Sequence, residues 1–175
     1  MNGSFQATFT HSNLALGTHS ITAQYAGNSL HTASTSPALS QQIATPYAAW
    51  ADGGAQGLSA GVNDDPADDP DHDGFSNMME FALGGAPMVS SQTIQPILTK
   101  PAANWQFEYN RSDAAQSSTT HVVEYGSDLN GWTPVTIPAT SAGIVEITPG
   151  SPSDRVKVTI PNQGTQTFVR LKVSK

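Results

Sequence analysis

The run Asp69-Pro70-Asp71-His72-Asp73-Gly74-Phe75-Ser76-Asn77-Met78-Met79-Glu80 restricts what this chain can fold into more than any other segment. Three carboxylates at alternate positions, followed at once by glycine, call for a tight backbone curl, and Gly74 supplies a conformation that side chains obstruct. Four carboxylates in so short a stretch also repel one another, at roughly 1 kcal/mol per pair when 5 to 6 Å apart in water and more in a poorer dielectric. A bound cation removes that cost. The charge distribution points the same way: seven of the fourteen acids fall between Asp64 and Glu80, and the first basic residue is Lys100. Residues 1–99 carry eight acids and no base, for a formal charge of -8, and residues 100–175 carry six acids and seven bases, for +1, which together give the net -7.

The spacing meets each requirement of the twelve-residue EF-hand loop. Calcium takes about six to eight oxygens, so Asp69, Asp71 and Asp73 at the first, third and fifth positions place three carboxylates on one wall. Phe75 offers its carbonyl, Asn77 binds directly or through water, and Glu80 closes the site with both oxygens once the exiting helix has begun. The expected metal ligands are therefore Asp69, Asp71, Asp73, Phe75, Asn77 and Glu80. Magnesium fits less well because it binds fewer protein carboxylates and keeps its water. Zinc would need His72, at a loop position that normally faces solvent.

On either side of the loop the pattern has a different period. Phe5, Ala7 and Phe9, then Ile21, Ala23 and Tyr25, alternate with polar residues as half-buried strands do, and Leu39, Gln41 and Ile43 follow after Pro37. Residues 93–175 return to that period through Trp105, Phe107 and Tyr109, through Val156, Val158 and Ile160, and through Val169, Leu171 and Val173. Asn130-Gly131 marks a hairpin between the runs at Val122–Tyr125 and Trp132–Ile137. Six to eight strands here predict an antiparallel sandwich. Between the two β regions, Thr45 and Pro46 start a short helix that Gly53-Gly54 stops. Phe75, Met78, Met79, Ala82 and Leu83 form a helical apolar stripe that Gly84-Gly85 and Pro87 end.

Two resemblances attach to these segments. Leu14–Tyr25 and Ala33–Pro37 resemble the C-terminal half of a bacterial immunoglobulin-like repeat. In such sandwiches a corner tyrosine often bonds back to the chain, and His19 falls at the corresponding place, two residues before an inward Ile21. Because about seven strands complete such a domain, Met1 is expected to be an internal or artificial start, with upstream domains of a longer parent chain as partners. Tyr47-Ala48-Ala49-Trp50, Gly57-Leu58, Asp64–Asp73 and Asn77–Pro87 are similar to the single calcium loop near the C-terminus of large bacterial secreted proteins, related to dockerin and thrombospondin type 3 repeats. That resemblance implies calcium and a β-rich tail, matched by Val123–Trp132. Dockerins that bind cohesin have two loops, whereas here Asp64, Asp65 and Asp68 lack the glycine and terminal carboxylate of a second.

The expected chain is mainly β: a partial immunoglobulin-like sandwich over 1–44, a helix–calcium loop–helix segment over 45–92, and an antiparallel β-sandwich over 93–175. Scattered bases leave no footprint for nucleic acid, and no apolar run reaches the length of a membrane span. His11, His19, His31, His72 and His121 show no triad or ligand spacing, so no enzymatic activity is expected. The expected role is a calcium-stabilised structural module of a secreted or cell-surface protein. The alternative is adhesion or carbohydrate binding, with Trp105, Tyr109, Tyr125 and Trp132 as an aromatic platform for glycans.

Overall fold

Most period-two segments become antiparallel strands and the apolar stripe becomes a helix from Asn77, with Phe75 before it, in the computed structural model, which describes residues 8–175. The chain is mainly β. It divides into two compact units, with the boundary between Thr45 and Pro46. No helix among the described residues is long and apolar enough to cross a membrane.

In the first unit β1 (Gly17–Ile21) pairs with β4 (Leu39–Ile43), and β2 (Gln24–Tyr25) pairs with β3 (Ser34–Thr35), each pair forming its own two-stranded antiparallel sheet. The β1–β4 register sets Gly17 opposite Ile43 and Ile21 opposite Leu39. Expected strand positions Phe5 and Ala7 lie outside the described residues, and Phe9 is exposed and belongs to no strand. Ile21 does not point into a core as expected: it is 41% exposed, and none of the described residues of this unit is buried. The physical reason is that two-stranded sheets have no second layer to cover their apolar side chains. His19 does bond back to the chain, its Nε2 donating to the carbonyl of Ala15 at 2.7 Å.

The second unit begins with α1 (Pro46–Asp52) and α2 (Asn77–Leu83). Seven strands follow: β5 (Ile97–Thr99), β6 (Trp105–Ser112), β7 (Thr120–Gly126), β8 (Thr133–Thr136), β9 (Val145–Thr148), β10 (Ser153–Ile160) and β11 (Phe168–Ser174). They form two antiparallel sheets, in the orders β5-β6-β10-β9 and β11-β7-β8. One core draws on both: Phe107, Tyr109, Val145, Ile147, Val156, Val158 and Ile160 from the first and Val123 from the second, with Val169 and Leu171 against it. The expected hairpin at Asn130-Gly131 is present as β7–β8, with Tyr125 opposite Thr133. Its turn is organised by Asp128, whose Oδ1 accepts from the N–H groups of Asn130 at 2.8 Å and Gly131 at 2.9 Å.

The α2 helix joins two apolar clusters. Leu83 and Met79 face the core of the sheets, while Met78, Phe81 and Ala82 pack with Tyr47 and Ala51 of α1 and with Ala115. Gly84 ends the helix in the left-handed region, φ 82°, and its N–H donates to the Glu80 carbonyl.

His121 on β7 is buried, with Nδ1 3.2 Å from the Tyr109 hydroxyl and Nε2 3.1 Å from the Thr119 hydroxyl. Burial, aided by the positive charge of Arg111, lowers its pKa to about 4. In the unfolded chain the group returns to about 6.5, so below that pH the unfolded state binds the extra proton first. Stability from this residue is fully present above pH 6.5 and is lost as pH falls toward 4, by at most about 1.4 kcal/mol per pH unit. Urea midpoints should fall more steeply over this window in the wild type than in His121→Gln; parallel slopes would contradict it.

Candidate metal centre

The expected ligand set starts on an irregular stretch and ends on a helix. His72 and Gly74 both adopt left-handed backbone, φ 59° and 94°, and these two turns curl the chain between Asp69 and Phe75. The side chain of His72 stays exposed, outside the carboxylate cluster. Oxygens of Asp69, Asp71 and Asp73 come within 4.8 Å of one another, and all three residues are half-buried. Backbone N–H groups hold the curl: Asp73 donates to Asp69 Oδ1 and Asp71 Oδ1, each at 3.2 Å, Gly74 donates to Asp69 Oδ2 at 3.0 Å, and Phe75 donates to Asp73 Oδ1 at 2.8 Å. Asp71 Oδ2 is buried and has no hydrogen-bond partner among the described residues.

Glu80 sits in the first turn of α2 and is completely buried. Neither of its carboxylate oxygens has a hydrogen-bond partner among the described residues. Burial, opposed by the nearby Ser91 hydroxyl and reinforced by the charges of Asp71, Asp73 and Asp69, raises its pKa to about 7. A buried carboxylate without a donor is costly, and buried charges are ordinarily paired or bound to metal. Glycine at position 85 makes room for it, since a Cβ there would lie 3.0 Å from Glu80 Oε1 and 2.8 Å from Ile94 Cδ1.

Asn77 is buried in the first turn of α2, its Nδ2 donating to the carbonyls of Asn63 and Asp65 in the turn that precedes the loop, both at 2.9 Å, while its Oδ1 has no hydrogen-bond partner among the described residues. That turn also receives the Asn77 N–H at the Asp68 carbonyl, 2.7 Å, and the Met78 N–H at the Pro66 carbonyl, 3.0 Å. Ser76 makes no side-chain cap, so carbonyls of the acidic turn satisfy the otherwise free N–H groups at the start of α2. Tyr47 secures the turn from α1 through a 2.9 Å bond from its hydroxyl to the Asp64 carbonyl. Its pKa is pushed up to about 12 by burial and by the neighbouring Asp64.

The upstream acids use their carboxylates locally. Asp64 Oδ1 accepts from Gly61 N–H, Asp65 Oδ1 from Ala67 N–H and Asp68 Oδ2 from Asp65 N–H. Sequence reasoning missed Ser91 and Gln92, which approach the loop from beyond the helix. Ser91 N–H donates to Asp73 Oδ2, and Gln92 Nε2 donates to the Asp73 carbonyl at 3.2 Å. A contact across this sequence separation leaves no local periodic signal.

The aromatic residues of the alternative reading are dispersed in environment. Tyr109 is buried in the core, while Trp105 and Trp132 are half-buried, with Lys100 Nζ 5.0 Å and Arg170 Cζ 4.1 Å from their respective ring centres. No protein-family model, curated protein or solved structure matches the chain.

Proposed function

We propose that this chain is a non-catalytic, calcium-stabilised structural module of a secreted or cell-surface protein. The ion is held by Asp69, Asp71, Asp73, the carbonyl of Phe75, Asn77 and Glu80, and the Asn77 Nδ2 also ties the helix that carries Glu80 to the preceding turn. The observation that carries this reading is the completely buried Glu80 carboxylate, with both oxygens unpartnered, beside three converging aspartates. Three aspartates whose oxygens converge, with the buried Glu80 carboxylate near them, favour a hard cation that accepts many protein oxygens, which is calcium before magnesium. In this reading residues 97–174 form a sandwich of the two sheets, and the first unit is part of an immunoglobulin-like domain.

The role is bracing. Among the described residues this loop, with its helix between two apolar clusters, has no partner loop to move against, unlike paired calcium sensors. Extracellular calcium modules bind at roughly 0.1 to 1 mM, a range suited to compartments rich in the ion. A ligand present at about 100 times its dissociation constant adds roughly 2.7 kcal/mol to the folded state. Titration calorimetry should therefore detect one calcium ion per chain, and chelation should lower the melting temperature by about 10 °C. If calcium gives no heat and chelator leaves melting unchanged, the proposal is wrong. The glycan alternative has less support, because Tyr109 lies in the core and a cation stands over each of Trp105 and Trp132.

A further inference from the structure

The loop's most distant contacts carry an inference that rests on the calcium reading and extends it. After Gly84 the chain makes a turn, closed by Val89 N–H donating to the Ala86 carbonyl at 3.0 Å, and Pro87 within it is buried. Ser91 is buried as well, and its hydroxyl accepts from Ala86 N–H at 2.9 Å and donates to the Val89 carbonyl at 3.2 Å. Its own N–H donates to Asp73 Oδ2, and the next side chain, Gln92, reaches the carbonyl of the same aspartate. The single 3-10 turn Gln92–Ile94 follows, Ile94 packs on the core of the sheets, and β5 begins at Ile97. Asp73 thus makes two bonds to this segment, one through its carboxylate and one through its backbone, while standing in the carboxylate cluster.

We propose that residues 86–95 form a strap locked by calcium, with Ser91 and Gln92 as positioning residues for Asp73. An ion drawing Asp69, Asp71, Asp73 and Glu80 together fixes the oxygen and the carbonyl to which the strap is tied. Without the ion, repulsion among the four carboxylates favours spreading of the loop, and spreading moves the strap's anchor. The coupling is reciprocal: whatever holds the strap also favours calcium, and whatever loosens it weakens binding by the same factor.

The test is amide hydrogen exchange on the full chain with saturating calcium or with chelator, together with calorimetric titration of calcium. Exchange across 86–95 should quicken at least about tenfold on chelation while the centres of β6 and β10 hold their protection. Gln92→Ala, which removes one bond without altering the backbone, should weaken calcium binding about threefold to tenfold, and Ser91→Pro, which removes the N–H, should weaken it more. Calcium binding with unchanged exchange over 86–95, or an unaltered affinity in Gln92→Ala, would overturn the strap and leave the calcium site standing. Absence of calcium binding in the wild type would overturn both.

Discussion

Glu80→Gln should raise the melting temperature of the calcium-free protein and leave calcium without effect on it. The two changes have opposite consequences because they act on different states. In the ion-free state Glu80 is a fully buried carboxylate with unpartnered oxygens beside three other acids. An amide of the same shape carries no charge, and it brings two N–H donors to a place where Asp71 Oδ2 also has no partner. Relieving an unsatisfied buried group is worth about 1–3 kcal/mol, more when that group is charged. With the ion bound, the substitution removes the carboxylate that closes the site with both oxygens, and affinity should fall by about a hundredfold or more, a change of roughly 2.7 kcal/mol. Melting curves of wild type and variant, each with calcium and with chelator, give four values. A variant destabilised equally in both conditions would make Glu80 an ordinary structural residue and remove the main support for the metal centre.

The second large effect belongs to Phe81. Its ring is 1% exposed, and it stands edge-on to Tyr47 at 5.5 Å and 89° and tilted against Trp50 at 5.4 Å. Phe81→Ala leaves a cavity between α1 and α2 that the short helices are too constrained to close, and buried Phe→Ala changes cost about 3–5 kcal/mol. That is a large share of the about 5–15 kcal/mol by which a domain is ordinarily stable. Because Phe81 follows Glu80 directly on α2, calcium affinity should fall with it, although Phe81 offers no oxygen from its side chain. Urea unfolding should show the lower midpoint with an unchanged slope. A loss below about 1 kcal/mol would mean that the two helices do not depend on each other.

Legibility in the sequence varied with the range of the interaction. Strands such as Trp105–Ser112 and Ser153–Ile160 could be read because alternate residues share a face, and the apolar stripe of α2 because its residues recur each helical turn. The Asp69, Asp71, Asp73 and Gly74 spacing could be read for the same reason: the curl is local. Phe81 lay off the stripe, since a helix between two clusters is buried on more than one face. Glu80 stood out as a candidate ligand by position, but its complete burial depends on packing around α2 and on the bare Cα of Gly85. Pairing of β6 with β10, and the bonds from Ser91 and Gln92 to Asp73, join residues far apart in the chain and leave no periodic trace. Ile21 and Leu39 were misleading: alternation marks a strand, while burial requires a second layer to cover it.

The first unit, with its exposed strands and without an acidic or basic residue apart from histidines, gives the molecule two distinct responses to dissolved salts. Simple electrolytes shorten the reach of the repulsion among the loop carboxylates and so ease the ion-free loop. They find almost nothing to screen in residues 1–45, where hydroxyls and amides carry the hydration. Sulfate acts there by another route, through exclusion from apolar surface, and Leu16, Leu30 and Leu39 present such surface at 65%, 85% and 61% exposure. A chloride salt therefore acts mainly on the acidic loop, and replacing it with sulfate keeps that screening while adding a force on exposed apolar side chains, so the choice of anion decides whether the neutral strands respond at all.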